Sequence, residues 1–206
     1  MRRAGVVVVL AALLLTGCGA DSEQIDTTGV DELVIPTPSP DPDDFVGYVD
    51  NPYFPLEQGS EWTYDDSDGG TTTVSVEPSN LVIGGVPITW VSTTSDGVET
   101  VDYYAQDQDG NVWWFGRQGV WDVDSGGEAG LAFPADPRVG DGWRRGFQEG
   151  LVEDRLTVMS VEGDEIVLRQ ESDLEPGVAV DLTYAKGFGL VSSLGPTGSS
   201  ELTAGP

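Results

Sequence analysis

Turn-forming residues punctuate this chain every ten or so positions from residue 60 onward, a spacing that leaves room for short strands and little else. Ser60-Glu61-Trp62-Thr63-Tyr64 alternates polar and apolar residues, and Asp65 to Gly70 makes a turn. Thr71 to Val76 is rich in Thr and Val and is followed by Gly84-Gly85; Val86 to Thr94 is closed by Ser95-Asp96-Gly97. Val98 to Ala105 runs into Asp107-Gln108-Asp109-Gly110, and Asn111 to Phe115 returns. β-Branched and aromatic side chains suit a pleated, half-buried surface, and Asp-Gly pairs suit hairpin turns. No segment holds a sustained apolar stripe at helical spacing, Leu151 to Met159 being the one arguable case. The expected fold is mainly all-β: an antiparallel meander forming a curved sheet, half-barrel or barrel.

The second half is more interrupted. Arg144 to Gln148, Leu151 to Val161, Glu165 to Glu171 and Val178 to Ala185 read as strands, and Gly187-Phe188-Gly189 as a bend before a last strand, Leu190 to Ser193. Val120 to Asp136, rich in Gly and acid, reads as a long loop, and the residues from Gly195 as a frayed tail. The stretch after residue 50 is long enough for one domain that buries about two-thirds of its unfolded surface.

The amino-terminal residues have a different character. Met1-Arg2-Arg3 is a short positive start, and Ala4 to Leu15 is a continuous apolar run. That run is short for a transmembrane helix but fits the apolar region of a secretory signal. It ends in Leu15-Thr16-Gly17-Cys18, which resembles a bacterial lipobox. The resemblance implies that a diacylglycerol and palmitate-type acyl chain are attached at Cys18, with cleavage before it. The alternative is an ordinary signal with a chance cysteine. Cys18 is the only cysteine, and a lone thiol has no intramolecular disulfide partner, which favours lipidation. Two acyl chains suffice for stable anchoring. The expected organisation is a signal peptide over 1–17, an acidic Pro-rich tether over 18–50, a β domain over 51–194 and a flexible tail over 195–206. Pro36, Pro38, Pro40 and Pro42 favour extended, solvated backbone in the tether, although the apolar patch Leu33-Val34-Ile35 offers a docking alternative. The location implied is the cell membrane, on its extracytoplasmic face.

Charge narrows the partners. The chain has 9 basic and 36 acidic residues and a formal net charge of −27. No Lys or Arg occurs from Ala4 through Gly116; the later ones are Arg117, Arg138, Arg144, Arg145, Arg155, Arg169 and Lys186. Nucleic acid is therefore not an expected partner, because such binding needs clustered cations to displace counterions. The expected partner is the membrane, through the lipid on Cys18; oligomeric state is left open.

Several kinds of chemistry drop out. There is no histidine, and the only thiol is assigned to the lipid, so Ser-His-Asp and Cys-His catalysis and ordinary zinc sites are excluded. No Gly-rich phosphate loop is present, and no cofactor is expected. The remaining enzymatic alternatives are a carboxylate pair acting on envelope polysaccharide and a Ser/Lys arrangement around Lys186. Asp107, Asp109 and Asn111 place oxygens at alternate positions, like the start of a calcium loop in a calcium-stabilised adhesion module. The glycine and glutamate that such a loop wants at its sixth and twelfth places are here Val112 and Gln118. An Asp/Gly hairpin turn is the preferred reading. Lys186 is read as a partner in a structural ion pair.

Large aromatics are the remaining candidates. In Trp113-Trp114-Phe115, alternation sends Trp113 and Phe115 to one face and Trp114 to the other, and Tyr103-Tyr104 is split the same way. Either both faces are buried, or one lines a groove for an apolar or glycan ligand. Core packing is the default, since aromatics bury the most area per residue.

Several segments together resemble a family of uncharacterised bacterial envelope lipoproteins. They are Asn51-Pro52-Tyr53-Phe54-Pro55-Leu56 with Gly59, Trp62 and Tyr64, and Tyr103-Tyr104-Ala105-Gln106-Asp107 with Gly110-Asn111-Val112-Trp113. Phe133-Pro134-Ala135 with Pro137, Val139-Gly140-Asp141, Leu174-Glu175-Pro176-Gly177 and Tyr184-Ala185-Lys186-Gly187-Phe188-Gly189-Leu190-Val191 follow in order. The general look is similar to periplasmic β half-barrels, and no activity comes with the likeness. Pro52 and Pro55 are expected to wrap a sheet edge before the first strand, and Gly187 and Gly189 to permit a bend or bulge. The function expected is that of a non-enzymatic, lipid-anchored envelope protein that binds an apolar or glycan ligand.

Overall fold

In a computed structural model of the protein, residues 41–206 are described. Cys18, Leu33-Val34-Ile35 and the expected signal peptide lie outside the described residues. A 3-10 helix, Pro42–Asp44, leads into β1 (Phe45–Val46). β2 (Glu61–Asp66) and β3 (Thr71–Glu77) form the first hairpin, and the small hairpin β4 (Val82–Ile83) and β5 (Val86–Pro87) interrupts the meander. Next come β6 (Thr89–Ser95), β7 (Val98–Asp107), β8 (Val112–Arg117) and β9 (Trp121–Asp122). β10 (Glu128–Phe133), β11 (Gly142–Gln148), β12 (Val152–Glu162) and β13 (Glu165–Ser172) continue, followed by β14 (Ala179–Ala185), β15 (Gly189–Gly195) and β16 (Gly198–Ala204).

Twelve of these strands close into an antiparallel barrel. Around the ring the order is β7, β6, β3, β2, β16, β15, β14, β13, β12, β11, β10 and β8, and β8 pairs back onto β7. Neighbours in such a ring run in opposite directions, so closure requires an even number. The meander expected from the turn spacing is thus present and closed.

Closure depends on a segment whose sequence gives little sign of it. β16 pairs with β2, with Leu202 opposite Tyr64, Glu201 opposite Asp65 and Ser200 opposite Asp66. The Ser67 amide donates to the Ser199 carbonyl at 2.8 Å, and the Ser199 amide donates to Ser67 Oγ at 3.0 Å. The expected frayed tail over 195–206 is corrected accordingly. A strand flanked by two others gains backbone partners on both sides and needs no strong apolar pattern of its own. The long loop expected over Val120 to Asp136 is also corrected, since β9 and β10 fall within it. The small residues of β10, Ala129, Gly130 and Ala132, are buried and lack the β-branched signature, and at Gly130 the Arg145 backbone leaves no room for a side chain.

Alternation along the strands separates a largely apolar lumen from a polar exterior. On β2, Trp62 and Tyr64 are buried while Glu61 and Asp65 are exposed. Cross-strand ion pairs decorate the outside, as in Arg169 Nε to Asp181 Oδ1 at 2.8 Å and Arg155 Nε to Glu171 Oε2 at 3.5 Å. A lipid-facing barrel would instead carry an apolar outer band. On β7 and β8 the outer face is apolar but covered: Phe45 packs edge-on against Phe115 at 5.3 Å, and Trp90 against Tyr103 at 5.9 Å.

Eight strands already enclose room for packed side chains, so twelve enclose more than aliphatic residues fill. Aromatics and a plug fill most of the difference. Asn51 to Leu56 crosses one end of the barrel and inserts Phe54, whose ring lies 5.3 Å from Tyr104, 5.9 Å from Tyr184 and 6.2 Å from Phe133. Asn51 is buried and pins the segment. Its Nδ2 donates to the Gly110 carbonyl at 2.9 Å, its amide donates to Gln106 Oε1 at 2.8 Å, and its Oδ1 accepts from the Tyr53 amide. The Gly187 amide, at a φ of +83° that favours glycine, donates to the Pro52 carbonyl at 2.7 Å. Pro52 and Pro55 therefore do not wrap a sheet edge as expected; they shape an internal plug, which has no ladder partner to lose.

Candidate functional site

Between the plug and the walls of β2, β3, β6, β7 and β14 lies a lumen cavity of about 230 Å³. Trp62, Tyr64, Val74, Val91, Leu182 and Leu190 form its apolar side, and Phe54, Pro55 and Leu56 of the plug form one wall. Its polar residues gather around Arg145, with Tyr104, Tyr184, Asp102 and Gln170. A larger groove of about 400 Å³ lies outside the plug, but Asp50, Glu57 and Glu77 line it and no cationic side chain faces them.

Arg145 is placed by an irregularity in β11. The pairing with β12 shifts between Arg144 and Gly146, so that Arg144 faces Arg155 while Gly146 faces Asp154. Arg145 is the extra residue of this bulge, and it lines the lumen. Its guanidinium carbon lies 4.1 Å from the centre of the Trp114 ring. Gly146 makes this possible, because a Cβ there would sit 2.9 Å from the indole. On its other side Trp114 meets Trp121 edge-on at 4.8 Å.

Two arginines near the lumen are held differently. Arg117 forks onto Asp102, with Nε to Oδ1 at 2.8 Å and Nη2 to Oδ2 at 2.9 Å, and Trp114 Nε1 donates to the same carboxylate at 3.0 Å. That pair is closed, and the bond to Asp102 raises the Arg117 pKa. Arg145 reaches Asp154 Oδ2 and the Tyr104 hydroxyl at 3.5 Å each, at the limit of hydrogen bonding. Asp154 is also shared with Gln170 Nε2 at 3.2 Å. Burial opposes the Arg145 charge, but the carboxylates of Asp102 and Asp154 help to offset it, and its pKa lies above the ordinary value. The lumen phenols stay protonated: burial pushes Tyr184 up to about 12, and burial also raises Tyr104 and Tyr64.

The aromatic candidates are core residues. Trp113, Trp114 and Phe115 are 3%, 2% and 1% exposed, and Tyr103 and Tyr104 are buried with them. Trp113 and Phe115 lie against Phe45 of β1, and Tyr103 lies against Trp90 of the neighbouring β6. Both faces of this hairpin are covered, which is the arrangement of core packing rather than of the alternative groove, and Tyr104 alone of the five lines the cavity. The calcium-loop candidates form the β7–β8 turn. Asp107 accepts from the amides of Asp109 and Asn111, from Asn111 Nδ2 and from Trp113 Nε1, so both its oxygens are engaged within the chain. Asn111 Oδ1 accepts from the Ala135 amide. The cavity lining holds one carboxylate, Asp102, rather than a facing pair. Lys186 is exposed and makes no ion pair among the described residues, contrary to expectation.

Arg145 and Gln170 were missed by sequence reasoning. A charged residue in a strand reads as outward-facing, and nothing in Arg144-Arg145-Gly146 marks the bulge.

The fold and site define a plugged, antiparallel β-barrel with a small, partly polar lumen. No protein-family model and no curated protein sequence matches the chain. Two solved structures resemble it. One is a provisionally assigned exported protein with YmcC-like fold from Bacteroides fragilis, at 14% identity over 75% of this chain and 98% of that one, with a TM-score of 0.37. The other is a provisionally assigned lipoprotein from Parabacteroides distasonis, at 11% identity over 75% of this chain and 98% of that one, with a TM-score of 0.36. Overlap at this level carries no inference about activity or ligand.

Proposed function

We propose that this protein is a lipid-anchored, extracytoplasmic binding protein without enzymatic activity, whose barrel lumen holds a small ligand with an apolar body. The observation that carries the reading is the cavity of about 230 Å³ between the aromatic walls and the Asn51–Leu56 plug. An engineered apolar cavity of roughly 150 Å³ is enough to bind benzene, so this one suits a single ring or a short chain. Support for the anchor comes from the Leu15-Thr16-Gly17-Cys18 sequence, and the acidic exterior suits a domain held off an anionic surface.

Calorimetric titration of the full chain with toluene tests the binding reading. Saturable heat is expected for the natural sequence and none for Val74→Phe, which fills the lumen, provided circular dichroism shows both folded. Equal binding by the two would place the ligand elsewhere, and absence of binding to either would remove the reading.

A further inference from the structure

We propose that the lumen ligand is an amphiphile with an anionic head, a carboxylate or similar oxyanion, held by Arg145 with its apolar body against Trp62, Leu182 and Leu190. The inference rests on the lumen being the binding site and names the chemistry of what enters it.

Three observations point the same way. First, Arg145 has donors to spare. Among the described residues its hydrogen-bond contacts are those to Asp154 and Tyr104, both at 3.5 Å, while Arg117 and Arg169 each fork onto a carboxylate at 2.8 and 2.9 Å. A guanidinium has five N–H groups and no acceptor, so a group that completes its contacts must accept. Second, Tyr104 and Tyr184 line the cavity beside it as protonated phenols. Tyr104 receives its contact from Arg145 at the oxygen, which leaves its own hydrogen free to donate. Third, the nearby acids hold Arg145 only loosely. Asp102 is forked by Arg117, and Asp154, the one carboxylate paired with Arg145 among the described residues, meets it at 3.5 Å and also accepts from Gln170 Nε2 at 3.2 Å.

The orientation of Arg145 is fixed before any ligand arrives. Trp114 supports the guanidinium from beneath, and the bulge at Arg145 and Gly146 keeps its backbone in place. A preorganised fork loses little freedom on binding and favours planar, two-oxygen acceptors. The opposite side of the cavity is apolar, which suits a short chain or ring rather than a sugar with hydroxyls on every side.

The test compares octanoate with 1-octanol, two probes that share a chain and differ in the head, by calorimetric titration of the full chain. Octanoate is expected to bind at least about tenfold more tightly, and Arg145→Met to remove that advantage while leaving octanol within about threefold. Arg145→Lys, which keeps the charge but loses the fork, should fall between them. If Arg145→Met does not fold, the ratio measured on the natural sequence decides. Octanol binding as tightly as octanoate, or octanoate binding unaffected by Arg145→Met, overturns the anionic head and leaves the lumen reading standing. Failure of both probes overturns the lumen reading and this inference with it.

Discussion

The guanidinium of Arg145 lies 4.1 Å from the centre of the Trp114 indole, inside a barrel whose outer surface is acidic. The contact joins two elements that the ring order places apart, β11 and β8, with β10 between them. A cation over an indole gains more when water is excluded, and Trp114 also ties Arg145 to the closed Asp102–Arg117 pair through its Nε1.

Replacing Trp114 tests that arrangement. Trp114→Ala removes a ring packed between Arg145 and Trp121 and is expected to cost about 3–5 kcal/mol. Trp114→Phe keeps most of the apolar volume but takes one donor from buried Asp102, at a cost of about 1–3 kcal/mol. Urea unfolding followed by circular dichroism measures both. A cost below about 1 kcal/mol for the alanine variant would show the ring to be peripheral.

Gly130 carries a second prediction. It lies opposite Trp114 on β10, and a Cβ there would overlap the backbone carbonyl of Arg145. Gly130→Ala is expected to destabilise by about 3 kcal/mol or more, because backbone rather than a flexible side chain must move. Gly142→Ala on β11, where the nearest atom would be 3.6 Å away, should stay within about 0.5 kcal/mol. Matching melting temperatures for the two variants would contradict the close approach at the bulge.

Ending the chain after Gly195 removes β16 and leaves β2 and β15 as open edges. The truncated protein is expected to lose cooperative unfolding and to associate, since exposed edges pair with one another. Thermal unfolding and light scattering read the two effects. A soluble, cooperatively folding product would mean that β16 is dispensable to the barrel.

Much of the fold was legible before the structure, and the exceptions have physical causes. The hairpins from β2 to β8 announce themselves because Asp-Gly turns separate alternating or β-branched runs. β16 does not, since Gly198-Ser199-Ser200-Glu201 is held by backbone bonds, by the Ser67 hydroxyl, which accepts from the Ser199 amide, and by the Asp66 carboxylate, which accepts from the Ser200 hydroxyl. The plug was visible as a proline-bounded aromatic segment, but its destination depends on Asn51 reaching Gly110 and Gln106, which are distant in sequence. The candidate site was legible only in Tyr104. Arg145 enters the lumen through a change of register that leaves no periodicity to read, and the aromatics singled out by their size are the ones the barrel uses as core.

Alkaline pH offers a prediction with a defined sign. Burial raises the pKa of Tyr64, Tyr104 and Tyr184 in the fold, that of Tyr184 from 10.0 to about 12. A raised folded pKa means that the protonated phenol contributes stability fully below about pH 10, and that this is lost as pH rises towards 12. Phenolate absorbance and circular dichroism recorded together should show these three tyrosines ionising as the barrel unfolds. Full ionisation near pH 10 with the circular dichroism unchanged would mean that the phenols reach water.

The most direct measurement is native mass spectrometry of the full chain purified from its host, beside the same chain carrying Val74→Phe. The account predicts a bound small molecule on the natural sequence, of a mass that fits a cavity of about 230 Å³, and its loss when the lumen is filled. A natural chain with no bound mass, or a mass that persists in the folded Val74→Phe protein, would contradict it.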